Sequence, residues 1–366
     1  MIVAHLSDLH LGYRAYDRTE RGQNVRERDV AAAFDHAVRA LLRIQPGLIV
    51  VSGDVFDRPD PPPGALIALT RGLDTLRGAL GDTPVLMVAG ARDTPRRPGD
   101  PGALAALDMF PQVQAATGTV RSRTFRELSV HVCMIPYGAS LEQPFPVPET
   151  DPRARWNVLV AHARATDATA GRPGVDAAEW DYVALGSEHR HRKVRPGVYY
   201  AGSLERVGQA PWDEAAVDKG FVTFDLESRV ATFIPIPGRP VVALAPIRVP
   251  SGDPERLTAR IEEVTGEVPG GVDGKIVQLI LQGVSARELL SIQGGALASL
   301  RQRALHLAVQ VEDRPGRAAP AADLRTRVLA ALEASGGGTE ARRQLLDDVL
   351  ALEPARVEPA GVGSVS

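Results

Sequence analysis

The stretch GLIVVSGD, residues 47–54, joins a short apolar run to a serine, a glycine and an aspartate. A run of this length and composition predicts a strand of about five residues that is buried on both faces. The same pattern recurs in MIVAHLSD (1–8), TPVLMVAG (83–90), VHVCMIPY (130–137), WNVLVAHA (156–163) and DYVALGSE (181–188). These repeated strands, each followed by a polar loop, are the first evidence for the fold.

Helical patterns lie between the first strands. Apolar residues recur at helical spacing in VAAAFDHAVRALLRI (30–44) and in ALIALTRGLDTLRGAL (65–80). The alternation of strands and helices predicts a layered α/β domain, with central sheets flanked by helices. Further strands with more alternation, typical of positions nearer a sheet edge, are predicted in 197–203, 220–228 and 230–236.

Changes in composition divide the chain. PIPGRP (235–240) ends the first domain, which we place at 1–240, and a smaller α+β pattern follows in 241–313. That pattern contains helices at 255–264 and 286–292 and strands at 275–283 and 305–311. RPGRAAPAA (314–322) has the composition of a linker. Two short amphipathic helices are predicted in 323–352, and 353–366 has the composition of a disordered tail.

Composition excludes several classes of protein. The net charge is −3, from 42 basic and 45 acidic residues, so any nucleic-acid surface must be local. A single cysteine, Cys133, excludes an intramolecular disulfide and a zinc site built from cysteines. The N-terminus lacks the pattern of a signal peptide, and no apolar run approaches the ~20 residues of a membrane helix. We therefore expect a cytoplasmic, nucleoid-associated protein without membrane contact.

Polar side chains stand where the predicted strands end. They are Asp8 and His10, Asp54, the loop Gly90-Ala91-Arg92-Asp93, His162, and the segment Gly186-Ser187-Glu188-His189. Because the carboxyl ends of strands in an α/β sheet converge on one crevice, we expect these side chains to meet. Carboxylate and imidazole together suit a transition-metal dication such as manganese.

Each of these residues also has a simpler interpretation when it is taken alone. His10 can be a surface or capping residue, Asp54 can cap the following helix, and His162 can be a hydrogen-bonded core histidine. The order of the residues and their shared context, a strand followed by a loop, favour a common site over coincidence.

The motifs in this order resemble those of the calcineurin-like metallophosphoesterases. The motifs are DLHLG (8–12), SGDVFD (52–57), GARD (90–93), VLVAHA (158–163) and ALGSEH (184–189). The segments 10–38, 181–207 and 218–226 further resemble the SbcD branch, the bacterial counterpart of the nuclease in the eukaryotic MRN complex. The resemblance covers about residues 1–245, whereas the following region matches in pattern only.

The resemblance implies a phosphodiesterase with two metal ions, manganese or magnesium. It implies that Asp8, His10, Asp54 and His189 hold the first ion. The second ion would share Asp54 and use His162, but the family's asparagine and first GHxH histidine are Ala91 and Ser187 here. We therefore expect one tightly bound ion, because alanine has no donor atom and serine is a poor neutral ligand.

Two features of the motifs stay open at the sequence level. His189-Arg190-His191 also spells HxH, so a slip of two residues in the loop would bring His191 into the site. Arg92 stands where the family has a histidine that helps protonate the leaving group or orients the phosphate. It is either a surface residue or a fixed positive charge that replaces the second ion and grips a phosphate without hydrolysing it.

Weaker signals concern partners. Arg14, with Arg96 and Arg97, follows site strands and is a candidate for contact with DNA phosphates. The resemblance implies that 241–313 is a capping domain and that the helices of 323–352 dock on the coiled coil of an SbcC-type ATPase. It also implies a homodimer that acts on DNA ends.

Two functions from different classes remain. The first is an SbcD-like subunit of a DNA-end processing complex that has weak or conditional manganese-dependent nuclease activity. The second is a catalytically inactive pseudo-nuclease that binds DNA ends or serves as a scaffold for the ATPase. A small-molecule phosphodiesterase on the same fold is disfavoured by the additional domain and the helical segment.

Overall fold

A computed structural model describes residues 1–97, 100–142, 148–163, 180–248 and 253–312. The chain divides into two compact units, Met1–Arg239 and Pro240–Ser366, called the first and second unit below. The predicted linker (314–322), the two predicted helices (323–352) and the predicted tail (353–366) lie outside the described residues.

The first unit alternates strands and helices along its sequence. Its helices are α1 (Val25–Ile44), α2 (Pro63–Leu80), α3 (Gly102–Ala105) and α4 (Tyr137–Ser140), with 3-10 turns at Ala106–Met109 and Pro211–Glu214. Its strands are β1 (Ile2–Leu6), β2 (Thr19–Glu20), β3 (Gln23–Asn24), β4 (Leu48–Val51), β5 (Val85–Val88), β6 (Val113–Ala116), β7 (Arg121–Phe125), β8 (Val130–Ile135), β9 (Trp156–His162), β10 (Tyr182–Gly186), β11 (Arg192–Arg195), β12 (Val198–Tyr200), β13 (Gly220–Asp225) and β14 (Val230–Pro235).

Two six-stranded sheets form the centre of this unit. Sheet A has the order β14-β13-β1-β4-β5-β6, and β1, β4, β5 and β6 are parallel. Sheet B has the order β11-β12-β10-β9-β8-β7, in which β8, β9, β10 and β12 are parallel. The parallel strands direct their carboxyl ends to one edge of each sheet, where polar loops follow.

The inner faces of the two sheets form a shared apolar core. Val3 and Val50 of sheet A and Val132, Val160 and Tyr182 of sheet B belong to it, and none of them is accessible to solvent. Helices α1 and α2 cover the outer face of sheet A with a second apolar cluster. Strands β4 and β5 are therefore buried along their whole length, which confirms the layered α/β interpretation of the short apolar runs.

The helices begin earlier than their apolar periodicity predicts. Helix α1 begins at Val25 because the side chain of Asn24 accepts hydrogen bonds from the amides of Arg26 and Glu27. Helix α2 begins at Pro63, a residue whose fixed φ suits the first turn of a helix. Capping residues, and not the first apolar position, therefore set both boundaries.

The described residues of the second unit form a parallel sheet covered by three helices. Strand β17 (Ile276–Gln282) pairs with β15 (Val241–Ala243) and β16 (Ile247–Arg248) on one side and with β18 (His306–Glu312) on the other. The helices are α5 (Pro254–Gly266), α6 (Ala286–Gln293) and α7 (Ala296–Arg303). Both predicted strands and two of the helices are confirmed. Helix α7 was missed because, in its eight residues, it buries only Ala296, Leu297 and Leu300.

Within the described ranges, no helix has both the length and the apolar character that crossing a bilayer requires.

Candidate metal centre

The strand ends of the first unit bring five of the predicted ligands together. Asp8 and His10 follow β1, Asp54 follows β4, His162 ends β9, and His189 follows β10. These side chains form two groups of three, Asp8 with His10 and His189, and Asp8 with Asp54 and His162. In each group the candidate ligand atoms lie within 4.8 Å of one another. Asp8 belongs to both groups, so its carboxylate lies at the centre of the cluster.

Short distances between nitrogen and oxygen atoms define the cluster. The Nε2 atoms of His10 and His189 are 3.2 Å apart. One carboxylate oxygen of Asp54, Oδ2, lies 3.8 Å from Nε2 of His10 and 3.8 Å from Nε2 of His162. Asp54 thus lies between the imidazoles of the two groups, in a position to contribute to both. Carboxylate and imidazole donors in this number fit a manganese-type dication.

The backbone of the cluster is strained. Asp8, His10 and Asp54 have φ values of 49°, 48° and 49°, in the left-handed region that residues other than glycine rarely adopt. Aspartate and histidine tolerate this region better than β-branched residues do, but each such residue still costs about 1 kcal/mol or more. Strained residues gathered in one buried cluster are typical of functional sites.

Hydrogen bonds behind the cluster set the orientation of two histidines. His10 Nδ1 lies 3.0 Å from a carboxylate oxygen of Asp57, and His162 Nδ1 lies 2.9 Å from the carbonyl of Ser52. Since a carbonyl can only accept, Nδ1 of His162 carries the proton and Nε2 presents its lone pair toward Asp54. Such partners fix the tautomer of metal-binding histidines. Asp57 and Ser52 both belong to the motif SGDVFD, but no role for them is predicted from the sequence.

Charges in the cluster favour a cation. Burial lowers the pKa of His10, but the hydrogen bond to Asp57 and the charges of Asp54 and Asp8 outweigh this effect and raise the pKa overall. Burial lowers the pKa of His189, although the charge of Asp8 opposes the effect. The carboxylates therefore create a field that attracts positive charge, and the ring of His189 favours the neutral form that binds metals.

The backbone at Arg92 and Ser187 lies against the same carboxylates. The backbone amide of Arg92 donates to Asp54 Oδ1 at 2.7 Å, and that of Ser187 lies 3.2 Å from Asp8 Oδ2. The side chains of Ala91, Arg92 and Ser187 are exposed. The fold thus keeps the backbone of Arg92 and Ser187 beside Asp54 and Asp8, while their side chains are exposed.

Glycines allow the motif loops to approach one another. A Cβ atom at Gly90 would overlap Oδ1 of Asp54, and one at Gly53, where φ is +100°, would overlap the ring of His162. Only glycine lets the backbone come this close to the two ligands. The glycines of VSGD and VAGA are therefore needed to assemble the site.

Two further side chains, one in the last motif and one just after it, face away from the cluster. His191 has its Nδ1 2.9 Å from the carbonyl of Tyr200, and its ring stacks on Phe233 with a centroid distance of 4.8 Å. Glu188 forms an ion pair with Arg192 at 2.6 Å. The structure therefore places His189, and not His191, in the cluster, which disfavours the alternative loop register.

A buried lysine holds the loop that carries His189. Nζ of Lys219 donates to the carbonyl of His189 at 2.8 Å and to Ser203 Oγ at 3.1 Å. The same nitrogen is 2.6 Å from Glu214 Oε2, so its charge is paired. This anchor, which the sequence does not predict, fixes the backbone at His189 while the ring of His189 faces His10.

Asp93 fixes the GARD loop to the loop after β4. Its carboxylate is almost fully buried and accepts hydrogen bonds from the amides of Gly90, Val55 and Phe56 at 2.8–3.0 Å. Burial raises the pKa of Asp93 to about 6, despite these hydrogen bonds. The carboxylate thus links the segments on either side of Asp54.

Replacement of Asp93 by alanine should destabilise the first unit. Three buried amides would lose their acceptor, and each unsatisfied group costs about 1–3 kcal/mol, less whatever water and relaxation restore. We expect Asp93→Ala to lower the free energy of unfolding by ~3 kcal/mol in urea titrations. The matched control is Asp100→Ala, because exposed Asp100 accepts from the amide of Gly102. A loss no larger for Asp93→Ala than for this control would contradict the role.

The arginines proposed for DNA lie on the surface of the first unit. The side chain of Arg14 is 57% exposed and its Nε lies 2.7 Å from Glu27 Oε2. Arg96 and Arg97 are exposed on the segment that follows GARD. Their exposure leaves them accessible to a phosphate backbone.

A buried histidine lies beneath the cluster. His5 on β1 is inaccessible to solvent, and its ring nitrogens each lie 2.8 Å from a hydroxyl, Nδ1 from that of Tyr182 and Nε2 from that of Ser52. Burial lowers the pKa of His5 to about 3. His5 therefore stays neutral at all pH values at which the protein is expected to fold.

This neutral histidine should make the protein sensitive to acid. Between pH 6.5 and about 3 the unfolded chain binds a proton at His5 that the folded chain does not. The stabilisation is complete above pH 6.5 and declines as pH falls, by up to about 1.4 kcal/mol per pH unit. His5→Gln should flatten the dependence of unfolding free energy on pH over this window. Parallel curves for wild type and variant would contradict the expectation.

The fold and the cluster together define a class of protein. Ligands at the carboxyl ends of parallel strands, in two facing sheets flanked by helices, are consistent with a metallophosphoesterase-like layered fold. Comparisons with known proteins then identify the relatives. The chain is 32% identical over 113 residues to the DNA double-strand break repair protein Mre11 of Methanocaldococcus jannaschii, covering 31% of this chain and 29% of that protein.

Two further Mre11 proteins match in the same way. The protein of Saccharolobus solfataricus is 34% identical over 97 residues, covering 26% of this chain and 24% of that protein. The protein of Methanosarcina mazei is 26% identical over 225 residues, covering 56% of this chain and 33% of that protein. No family model matches the chain. It spans about a quarter to a third of the length of these relatives, and it is a distant homologue of these Mre11 proteins.

Proposed function

We propose that this chain is an SbcD-like subunit of a DNA-end processing complex, with a metal-dependent phosphodiesterase site that keeps one of two metal positions complete. The observation that carries the proposal is the pair of buried donor groups that share Asp8. The homology to Mre11 proteins supports the substrate class, because those relatives are double-strand break repair proteins.

The donors present fit one manganese or magnesium ion. Asp8, His10, Asp54 and His189 would hold the first ion, which would activate water and stabilise the developing charge on a phosphate. Asp57 and Lys219 orient His10 and the His189 loop for this purpose. The chain's own contribution is thus a rigid set of donors with fixed tautomers.

The second metal position keeps fewer donors. His162 and Asp54 face it together with Asp8, while the side chains of Ala91 and Ser187 supply no good ligand. Two of the family's four ligands are lost, so we propose that a second ion binds weakly. Nuclease activity is then weak or conditional in the isolated chain.

The second candidate function is a pseudo-nuclease that binds DNA ends without cleaving them. The substitutions at Ala91, Arg92 and Ser187 favour this alternative. The backbone amide of Arg92 donates a hydrogen bond to Asp54, which places the backbone of Arg92 beside the cluster. Burial raises the pKa of the Tyr13 hydroxyl overall, and the exposed guanidinium of Arg92 is near enough to oppose this effect. A fixed cation there can grip a phosphate oxygen without activating water.

The domain roles and partners follow from the same homology. We propose that 1–240 is the nuclease-like domain and that 241–313 is a capping domain. The helices predicted in 323–352 would dock on an SbcC-type coiled-coil ATPase, and two copies of the chain would form a homodimer. Arg14, Arg96 and Arg97 would contact the DNA backbone.

Binding of DNA ends tests this function apart from cleavage. We expect the chain to bind a fluorescent blunt-ended duplex more tightly than a closed circle of equal length, and more tightly with manganese. Arg92→Ala should weaken the interaction about 10-fold, the cost of one charged hydrogen-bonded contact. Arg58→Ala, an exposed arginine beyond the SGDVFD motif, is the matched control. Equal affinity for ends and circles would contradict the proposed function.

A further inference from the structure

We propose that Tyr182 and His5 form a buried positioning pair that fixes Ser52 and thereby keeps His162 in the tautomer that directs Nε2 toward the second donor group. The inference rests on the proposed metal site, but it concerns a connection inside the first unit that metal binding does not presuppose. His5 and Tyr182 touch neither a substrate nor an ion, so they are positioning residues.

All the members of the connection are buried. His5, Ser52 and Tyr182 are inaccessible to solvent, and His162 is only 2% exposed. The Tyr182 hydroxyl lies 2.8 Å from His5 Nδ1, His5 Nε2 lies 2.8 Å from Ser52 Oγ, and His162 Nδ1 lies 2.9 Å from the Ser52 carbonyl. The contacts join sheet B to sheet A and then to the end of β9.

The hydrogen-bond partners determine the direction of each bond. Ser52 Oγ also lies 3.4 Å from the carbonyl of Leu6, to which it can only donate. The hydroxyl then accepts from His5, so Nε2 of His5 carries the proton and Nδ1 accepts from the hydroxyl of Tyr182. In this arrangement the Tyr182 hydroxyl, the His5 ring N–H and the Ser52 hydroxyl each donate to an acceptor.

The hydrogen bonds of Ser52 connect the orientation of the His5 ring to that of the His162 ring. The side chain of Ser52 is held by His5 and the Ser52 carbonyl accepts the Nδ1 proton of His162. The next residue, Gly53, is so close that a Cβ atom would overlap the ring of His162. The imidazole therefore packs directly on the 52–53 peptide, and its orientation depends on where that peptide lies.

The tautomer of His162 matters more here than in a site with all its ligands. A neutral imidazole with its proton on Nε2 would direct an N–H, and not a lone pair, toward Asp54. Since Ala91 and Ser187 supply no strong donor, His162 is one of only three residues in the second donor group. If His162 lost this tautomer, only the carboxylates of Asp8 and Asp54 would remain as donors in the second group.

Two amide substitutions separate the roles of the ring nitrogens of His5. The side-chain nitrogen of glutamine occupies the place of Nε2, whereas that of asparagine occupies the place of Nδ1. His5→Gln should preserve the bond to Ser52 and His5→Asn should lose it. The readout is the nitrogen chemical shift of His162 in metal-free protein labelled with ¹⁵N-histidine, assigned by comparison with His162→Gln.

We expect a protonated Nδ1 and an unprotonated Nε2 at His162 in wild type and in His5→Gln. In His5→Asn and His5→Leu we expect a mixture of tautomers, and the second, weaker manganese ion should bind about 10-fold less tightly by calorimetry, the usual cost of losing a partner behind a ligand. Tyr182→Phe, which removes one hydroxyl, should shift the populations in the same direction and tests the proposal if the His5 variants fail to fold.

His131→Leu is the matched control for losing a buried histidine. His131 lies on β8 of the same unit and is bonded to Thr124 and to the carbonyl of Glu149. Its replacement should reduce stability without changing the His162 spectrum. A wild-type His162 spectrum in folded His5→Asn and Tyr182→Phe would overturn the positioning role. Wild type that binds no manganese, yet shows the expected tautomers, would overturn the proposed function alone.

Discussion

Restoring three side chains should convert this chain into an efficient manganese-dependent nuclease. The variant carrying Ala91→Asn, Arg92→His and Ser187→His is expected to cleave linear DNA ~10²–10⁴ times faster than wild type, the usual contribution of general acid–base help, on top of the gain from a second ion. The backbone of positions 92 and 187 already lies against Asp54 and Asp8, so the new side chains begin beside the site.

Each single reversion should change the rate little. Residues that act as one unit are strongly non-additive, so neither one new ligand nor the histidine alone completes the site. The control adds Asp8→Ala to the triple variant and should return the rate to background. Robust cleavage by wild type that disappears in Asp8→Ala would show that the reduced site still works, and would contradict this account.

Asp8→Ala should have the largest effect on metal binding. Asp8 belongs to both donor groups, so its loss removes a ligand from each. We expect manganese affinity measured by calorimetry to fall by more than about 100-fold, beyond the 10–100-fold typical of residues that only orient a ligand. Asp57→Ala removes the hydrogen-bond partner of His10, and the loss of manganese affinity in this variant should lie within that smaller range.

The control for this experiment is another aspartate. Asp60 is exposed on the segment after the SGDVFD motif, and Asp60→Ala should leave manganese affinity unchanged. If Asp8→Ala and Asp60→Ala bind manganese equally well, the buried cluster is not the site of binding.

The strand ends explain how much of the site was predictable. Asp54 and His162 are distant in sequence, yet each follows an apolar run, and the convergence of parallel strands places them together. Their Nε2–Oδ2 distance of 3.8 Å confirms the expected meeting. The apolar runs and the position of each polar residue at the end of a run were sufficient to predict this meeting, because the predicted ligands stand at the ends of strands that form the core.

The supporting residues could not be predicted in the same way. Asp93 accepts from Val55 and Phe56, and Lys219 holds the carbonyl of His189, but neither pair is related by periodicity or motif spacing. Such contacts depend on how separate loops pack, which a single sequence does not encode locally. An aspartate such as Asp93, at the end of the loop Gly90-Ala91-Arg92-Asp93, looks like an ordinary turn residue until its three amide partners are known.

The most direct test of the account is the number and position of manganese ions in crystals soaked with the metal, located by anomalous scattering. The account predicts one well-occupied ion bound by Asp8, His10, Asp54 and His189, with weak or no density beside His162. Two fully occupied ions about 3.5–4 Å apart, the usual spacing of two-metal sites, would contradict it, as would an ion bound elsewhere with this cluster empty.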